Sequence, residues 1–201
     1  MAYASPIEAR SNRKISSLWL VVEILIGASA LLVFWSFVTT HHGSDKIECA
    51  LQLRHIGNGL LLYANNFKGN FPDNLSGVIE EEVQPAELVC PSSKDTPAPV
   101  DATTQATIAN VDAGGHLSYI YLGKGRSNNL PAGFILVYEP LAHHSNAGMN
   151  VLFGDMHVEF LTTREATWML SEINSGHNPP RPDPSTQPAR RSSGGGYSST
   201  P

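Results

Sequence analysis

The chain has 201 residues, 41% hydrophobic and only 15% charged, room for one modest domain with appendages and not for a multidomain enzyme. Thirteen Lys and Arg against eighteen Asp and Glu give a formal net charge of -5, which provides no basic field for a phosphate backbone and excludes nucleic acid as an expected partner. The two cysteines, Cys49 and Cys90, stand far apart without a CxxC motif, so a disulfide-dense scaffold and a four-cysteine zinc site are excluded and one bridge is the most they can make.

Residues 1–14 form a basic segment, with Arg10, Arg13 and Lys14 against Glu8. The run ISSLWLVVEILIGASALLVFWSFV, residues 15–38, then carries a single ionisable group, Glu23. At 1.5 Å per residue its length matches a hydrocarbon core of about 30 Å, so the expectation is a transmembrane helix. A secretory signal peptide is the rival reading; its apolar region would be shorter and end in a small-x-small site, which VTTHHG supplies poorly. The basic cluster before the run predicts a cytoplasmic N-terminus, single-pass placement in the inner membrane with the lipid bilayer as partner, and an extracytoplasmic remainder. Glu23 then either lies shallow in the span or meets a partner charge.

Further along, Cys49, Leu53, Ile56, Leu60, Tyr63 and Phe67 recur at spacings of three and four, the stripe of an amphipathic helix from about Asp45 to Lys68 that continues the first helix outward. Gly57 and Gly59 weaken that helix, so its stability has to come from packing on a sheet. Gly69 and Phe71-Pro72 stop it. Glu80, Glu81 and Glu82 read as a solvated face, and residues 91–115, rich in Pro, Thr, Ala and Gly, are expected to carry little regular structure.

Four short β-branched or aromatic segments follow, at 116–123, 133–140, 149–155 and 157–163, and predict an antiparallel sheet with a hairpin turn at Gly154-Asp155. Thr162 and Glu165 form a capping box that opens a closing helix, with Trp168, Met169 and Ile173, to about Asn174. Residues 178–201, rich in Pro, Ser and Gly, are expected to be disordered. The fold class is therefore α+β: an N-terminal transmembrane helix running into an amphipathic helix on a small antiparallel sheet, with the domain proper at 39–177.

The apolar helix with its embedded Glu, CALQLRHIGNGLLLYANNFKGNFPDNL from Cys49, LVCPSS around Cys90, and ILVYEPLAHHSNAGMNVLFGDMHVEFL together resemble the prepilin-like proteins of planctomycete and verrucomicrobial type that carry a C-terminal H-x9-DG signature, relatives of the type II secretion pseudopilins. The resemblance covers residues 15–174. It implies a long N-terminal helix packed on a small sheet, and an assembly role for Glu23, whose counterpart in such proteins meets the N-terminal ammonium of a neighbouring subunit. The chain departs from the pattern in three places: Leu18 stands where a prepilin cleavage signal has Gly, ten residues separate His144 from Asp155, and Met156 replaces the Gly of the signature.

Chemistry concentrates in that signature. Asp155 and His157 are two apart and share a strand face, and His143 or His144 enters from the other arm, so His144, Asp155 and His157 can hold a divalent metal; the alternative is Asp155 on turn amides with surface histidines. No other cofactor is indicated. Asp95, Asp101 and Asp112 are scattered and are not assigned to the calcium loop known in the related major pseudopilin. Cys49 and Cys90 are candidates for one disulfide in an oxidising space. No G-x-S-x-G, HExxH or phosphate-binding loop is present, so no enzymatic activity is expected. Two functions fit: a pseudopilin-like structural subunit of a type II secretion or pilus-like assembly, associating with itself or similar subunits, or a membrane-tethered domain that binds a ligand or polymer.

Overall fold

The computed structural model describes residues 6–185, with side chains described for 19–35 and 45–185. Three helices, α1 (Pro6–Asn66), α2 (Thr104–Asp112) and α3 (Thr163–Asn174), accompany four strands, β1 (Ile120–Tyr121), β2 (Ile135–Tyr138), β3 (Gly148–Phe153) and β4 (Val158–Thr162). The chain divides into two compact units at Ser44/Asp45.

In the first unit the expectation of a membrane span is corrected. Among the described residues no helix is long and apolar enough to cross a membrane. The transmembrane element, the single-pass architecture and the inner-membrane placement go with it. The side chains of Arg10, Arg13, Lys14 and Leu18, on which orientation and processing were argued, lie outside the described residues.

In the second unit the expected α+β arrangement holds. The sheet is an antiparallel meander in the order β1-β2-β3-β4, with residues 45–66 of α1 on one face and α3 on the other. On the α1 face, Cys49, Leu53, Ile56, Leu60 and Ala64 pack with Leu136, Val137 and Leu152; on the other, Ile135, Met149 and Val151 pack with Ala166 and Met169 of α3. The predicted stripe is correct through Leu60 and then shifts: Ala64 is buried, whereas Phe67 is exposed and stacks on Tyr63 at 4.1 Å between ring centroids. The helix stops in the expected region: Lys68 and Gly69 adopt φ +58 and +85, and the Gly69 N–H donates to the Ala64 carbonyl at 2.7 Å, the 6→1 bond of a Schellman end.

The strand pairing contains one irregularity that matters below. Ile135 pairs with Phe153 but Val137 pairs with Leu152, so β2 carries one extra residue at Leu136, a β-bulge. Strict alternation from Ile135 would point residue 139 toward α3; after the bulge, Glu139 points toward α1. On β3, Asn150 and Leu152 face the same way, opposite to Met149 and Val151.

Two further expectations are revised. Within 91–115, Thr103 caps α2, its side chain accepting from the Ala106 N–H at 3.2 Å, and Thr107 and Val111 are buried; two inward residues a turn apart were too weak a period to read from the sequence. The tail is ordered at least to residue 185. Asn178 brackets Ile135, accepting from its N–H at 2.7 Å and donating to its carbonyl at 2.9 Å, and Arg181 donates twice to Glu172, at 2.6 and 2.9 Å. Polar contacts, and not apolar burial, hold this segment, which is why its composition concealed it. Residues 186–201 lie outside the described residues.

Candidate metal centre

Four side chains from four separate places converge beside the sheet. Cys49 comes from α1, Cys90 from the segment just after a 3-10 turn (Pro85–Leu88), Glu139 from the residue after β2, and His144 from the β2–β3 connection. One donor atom from each lies within 4.8 Å of the others, and among the described residues this is the one such group of His, Cys, Asp and Glu. All four are closed to solvent: Cys49 0%, Cys90 1%, Glu139 0% and His144 4% exposed.

Each donor is aimed by its own surroundings. Glu139 is brought round by the bulge, and Asn150 fixes one of its oxygens: Oε1 accepts from both the Asn150 backbone N–H and Nδ2, while Nδ2 also donates to the Lys46 carbonyl of α1 at 3.1 Å. That leaves Oε2 to face His144 Nε2 at 3.1 Å. Cys90 and Ser92 clasp the His144 ring from one segment: Sγ lies 4.0 Å from Nε2, and the Ser92 hydroxyl lies 3.3 Å from Nδ1 while donating to Asp45 Oδ2 at 3.0 Å. Because that hydroxyl spends its proton on Asp45, it accepts from Nδ1–H. The inward Nε2 is thereby the lone-pair nitrogen of the neutral ring.

The backbone of the connection is strained to achieve this. His144, Ser145 and Asn146 have φ of 51, 56 and 59, three successive non-glycine residues in the left-handed region, each costing on the order of 1 kcal/mol. A segment held so far from its preferred conformation is fixed by what its side chains touch.

Burial and mutual hydrogen bonding shift the two thiols and the imidazole. The hydrogen bond from Cys49 lowers the Cys90 thiol to about 6, against the opposing effect of burial and with help from His144. Cys49 is correspondingly raised by that bond and by burial. Burial alone would lower His144, but its hydrogen bonds to Cys90 and Glu139 raise it to about 9.

The residues singled out from the sequence are partly reunited here. His144 belongs to the cluster. Asp155 and His157 do not: they lie at the opposite end of the β3–β4 hairpin, where Asp155 accepts from the His157 N–H at 3.3 Å and contacts its ring, which in turn stacks on Phe153 at 4.2 Å. The expected His144–Asp155–His157 metal set is therefore corrected. The positive φ of that turn falls on Met156, φ 69, the position where the signature has Gly. Cys49 and Cys90, candidates for one disulfide, lie in the same cluster without a disulfide between them in this structure. Glu139 was missed because strict alternation assigns it to the wrong face; the signal available was an acid inside the apolar run GFILVYEP. Glu23 is exposed on α1.

Compared with known proteins, the chain matches no family model, no curated protein and no solved structure.

Proposed function

We propose that this chain is a non-enzymatic structural subunit of pseudopilin-like kind, which associates with copies of itself or similar subunits through the N-terminal part of α1. The observation that carries this reading is the exposure of that part: from Trp19 to Phe34 the large apolar side chains are 40–72% exposed. Water contact on so many contiguous apolar groups is unfavourable, since full burial of one such side chain is worth roughly 1.5–3 kcal/mol, and monomers rarely leave large apolar patches open. Helix-on-helix packing between subunits covers it.

Glu23 gives that packing its register. A carboxylate placed among apolar helices costs several kcal/mol unless a cation of the neighbouring subunit meets it, so aligned partners are favoured over slipped ones. The absence of solvent access to the buried polar cluster further supports a structural and not a catalytic chain. Chemical crosslinking and sedimentation of the full chain test the proposal. Wild type is expected to give a defined ladder of oligomers and Glu23→Leu to lose it; a wild-type chain that stays monomeric at its highest soluble concentration, or a ladder unchanged by Glu23→Leu, contradicts it.

A further inference from the structure

We propose that Cys49, Cys90, Glu139 and His144 are the four ligands of a closed structural zinc site that ties α1, the Cys90 segment and the sheet together. The donor set decides the class of metal. Two sulfurs and an imidazole favour a borderline or soft divalent ion over calcium or magnesium, which take six or more oxygens, and four ligands without an open position are the pattern of structural zinc. Tetrahedral ligation at Zn–S of about 2.3 Å and Zn–N or Zn–O of about 2.0 Å puts ligand atoms roughly 3.3–3.8 Å apart. The observed separations of 3.1 Å for Nε2 to Glu139 Oε2 and 4.0 Å for Nε2 to Cys90 Sγ, with all donors within 4.8 Å, need only a small adjustment to reach it.

The surroundings distinguish a metal site from a dithiol pair. A disulfide between Cys49 and Cys90 would use neither the carboxylate nor the imidazole, yet both are buried and turned inward. Asp45 and Ser92 present Nε2 as the ligating nitrogen, and Asn150 occupies one carboxylate oxygen and leaves the other free for the ion. These are the outer hydrogen bonds that orient metal ligands elsewhere. When zinc enters, the thiol protons leave to solvent, and two thiolates, one carboxylate and one neutral imidazole bound through Nε2 remain on the ion.

Cobalt(II) is the probe that reads this directly, because thiolate ligation gives it a near-ultraviolet charge-transfer band and tetrahedral geometry gives it strong visible bands. The full chain, kept reduced, is titrated with cobalt(II), and zinc(II) then displaces it. One equivalent is expected, with both sets of bands. Cys49→Ser combined with Cys90→Ser removes the charge-transfer band, and Ser92→Ala keeps it while weakening metal affinity about 10- to 100-fold. Asp155→Asn with His157→Ala changes nothing. A reduced wild-type chain that shows no thiolate band overturns the proposal, as does a band that survives loss of both cysteines. If the double cysteine variant does not fold, the wild-type spectrum and the Ser92→Ala affinity decide, an unchanged affinity counting against the site.

Discussion

Ile56→Ala probes the packing of α1 on the sheet. Ile56 is fully buried, whereas Ile47 on the same helix is 66% exposed, so the pair separates packing from helix propensity. Ile56 contributes to one cluster with Leu53, Leu60, Leu136 and Leu152, and its neighbours come from both a helix and a sheet, which cannot both collapse into the vacated space. Truncation at such a position costs about 2–5 kcal/mol, a large share of the roughly 5–15 kcal/mol that holds a domain folded. For a unit of this size that is a drop in Tm on the order of 10 °C. Ile47→Ala should fall within about 0.5 kcal/mol of wild type. Thermal melts of the full chain followed by circular dichroism measure both. An Ile56→Ala melt within a degree or two of wild type would refute the packing described and assign that stripe to an interface between chains.

Gly59→Ala should destabilise although alanine is the better helix former by about 1 kcal/mol: a Cβ there would meet Val83 Cγ2 at 2.7 Å and Val78 Cβ at 3.3 Å, and overpacking of that kind costs about 1–3 kcal/mol; urea titration of the variant gives the sign. Glu172 is held at about 2 by its hydrogen bonds to Arg181, below its ordinary value of 4.5. The pair's contribution is therefore full above pH 4.5 and is lost as pH falls toward 2. Glu172→Gln should melt below wild type at neutral pH, the two curves converging in acid.

What the sequence made legible is what periodicity and caps encode. The stripe from Cys49 to Leu60, the stop at Gly69, the four strands, and the capping box in which the Thr162 N–H donates to Glu165 at 2.9 Å are local signals, and the structure contains them. Gly57 and Gly59 read only as a cost in the sequence; their use appears when Val83 and Leu152 are seen against them. The site was half legible for the same reason. Cys49, Cys90 and His144 were each noticed, but the bulge at Leu136 that turns Glu139 toward them is a register effect between two strands, and no pattern within either strand reports it. Asp155 and His157 were grouped with His144 on the reading that it enters from the other arm of the hairpin, while the length of β3 separates them in space.

Native mass spectrometry of the full chain purified without chelator or oxidant tests the zinc centre most directly, because zinc-bound, free dithiol and disulfide forms differ in mass. The expected species carries one zinc ion per chain and loses it on mild acidification. A chain that arrives metal-free and two hydrogens light, with Cys49 and Cys90 joined, would contradict the centre.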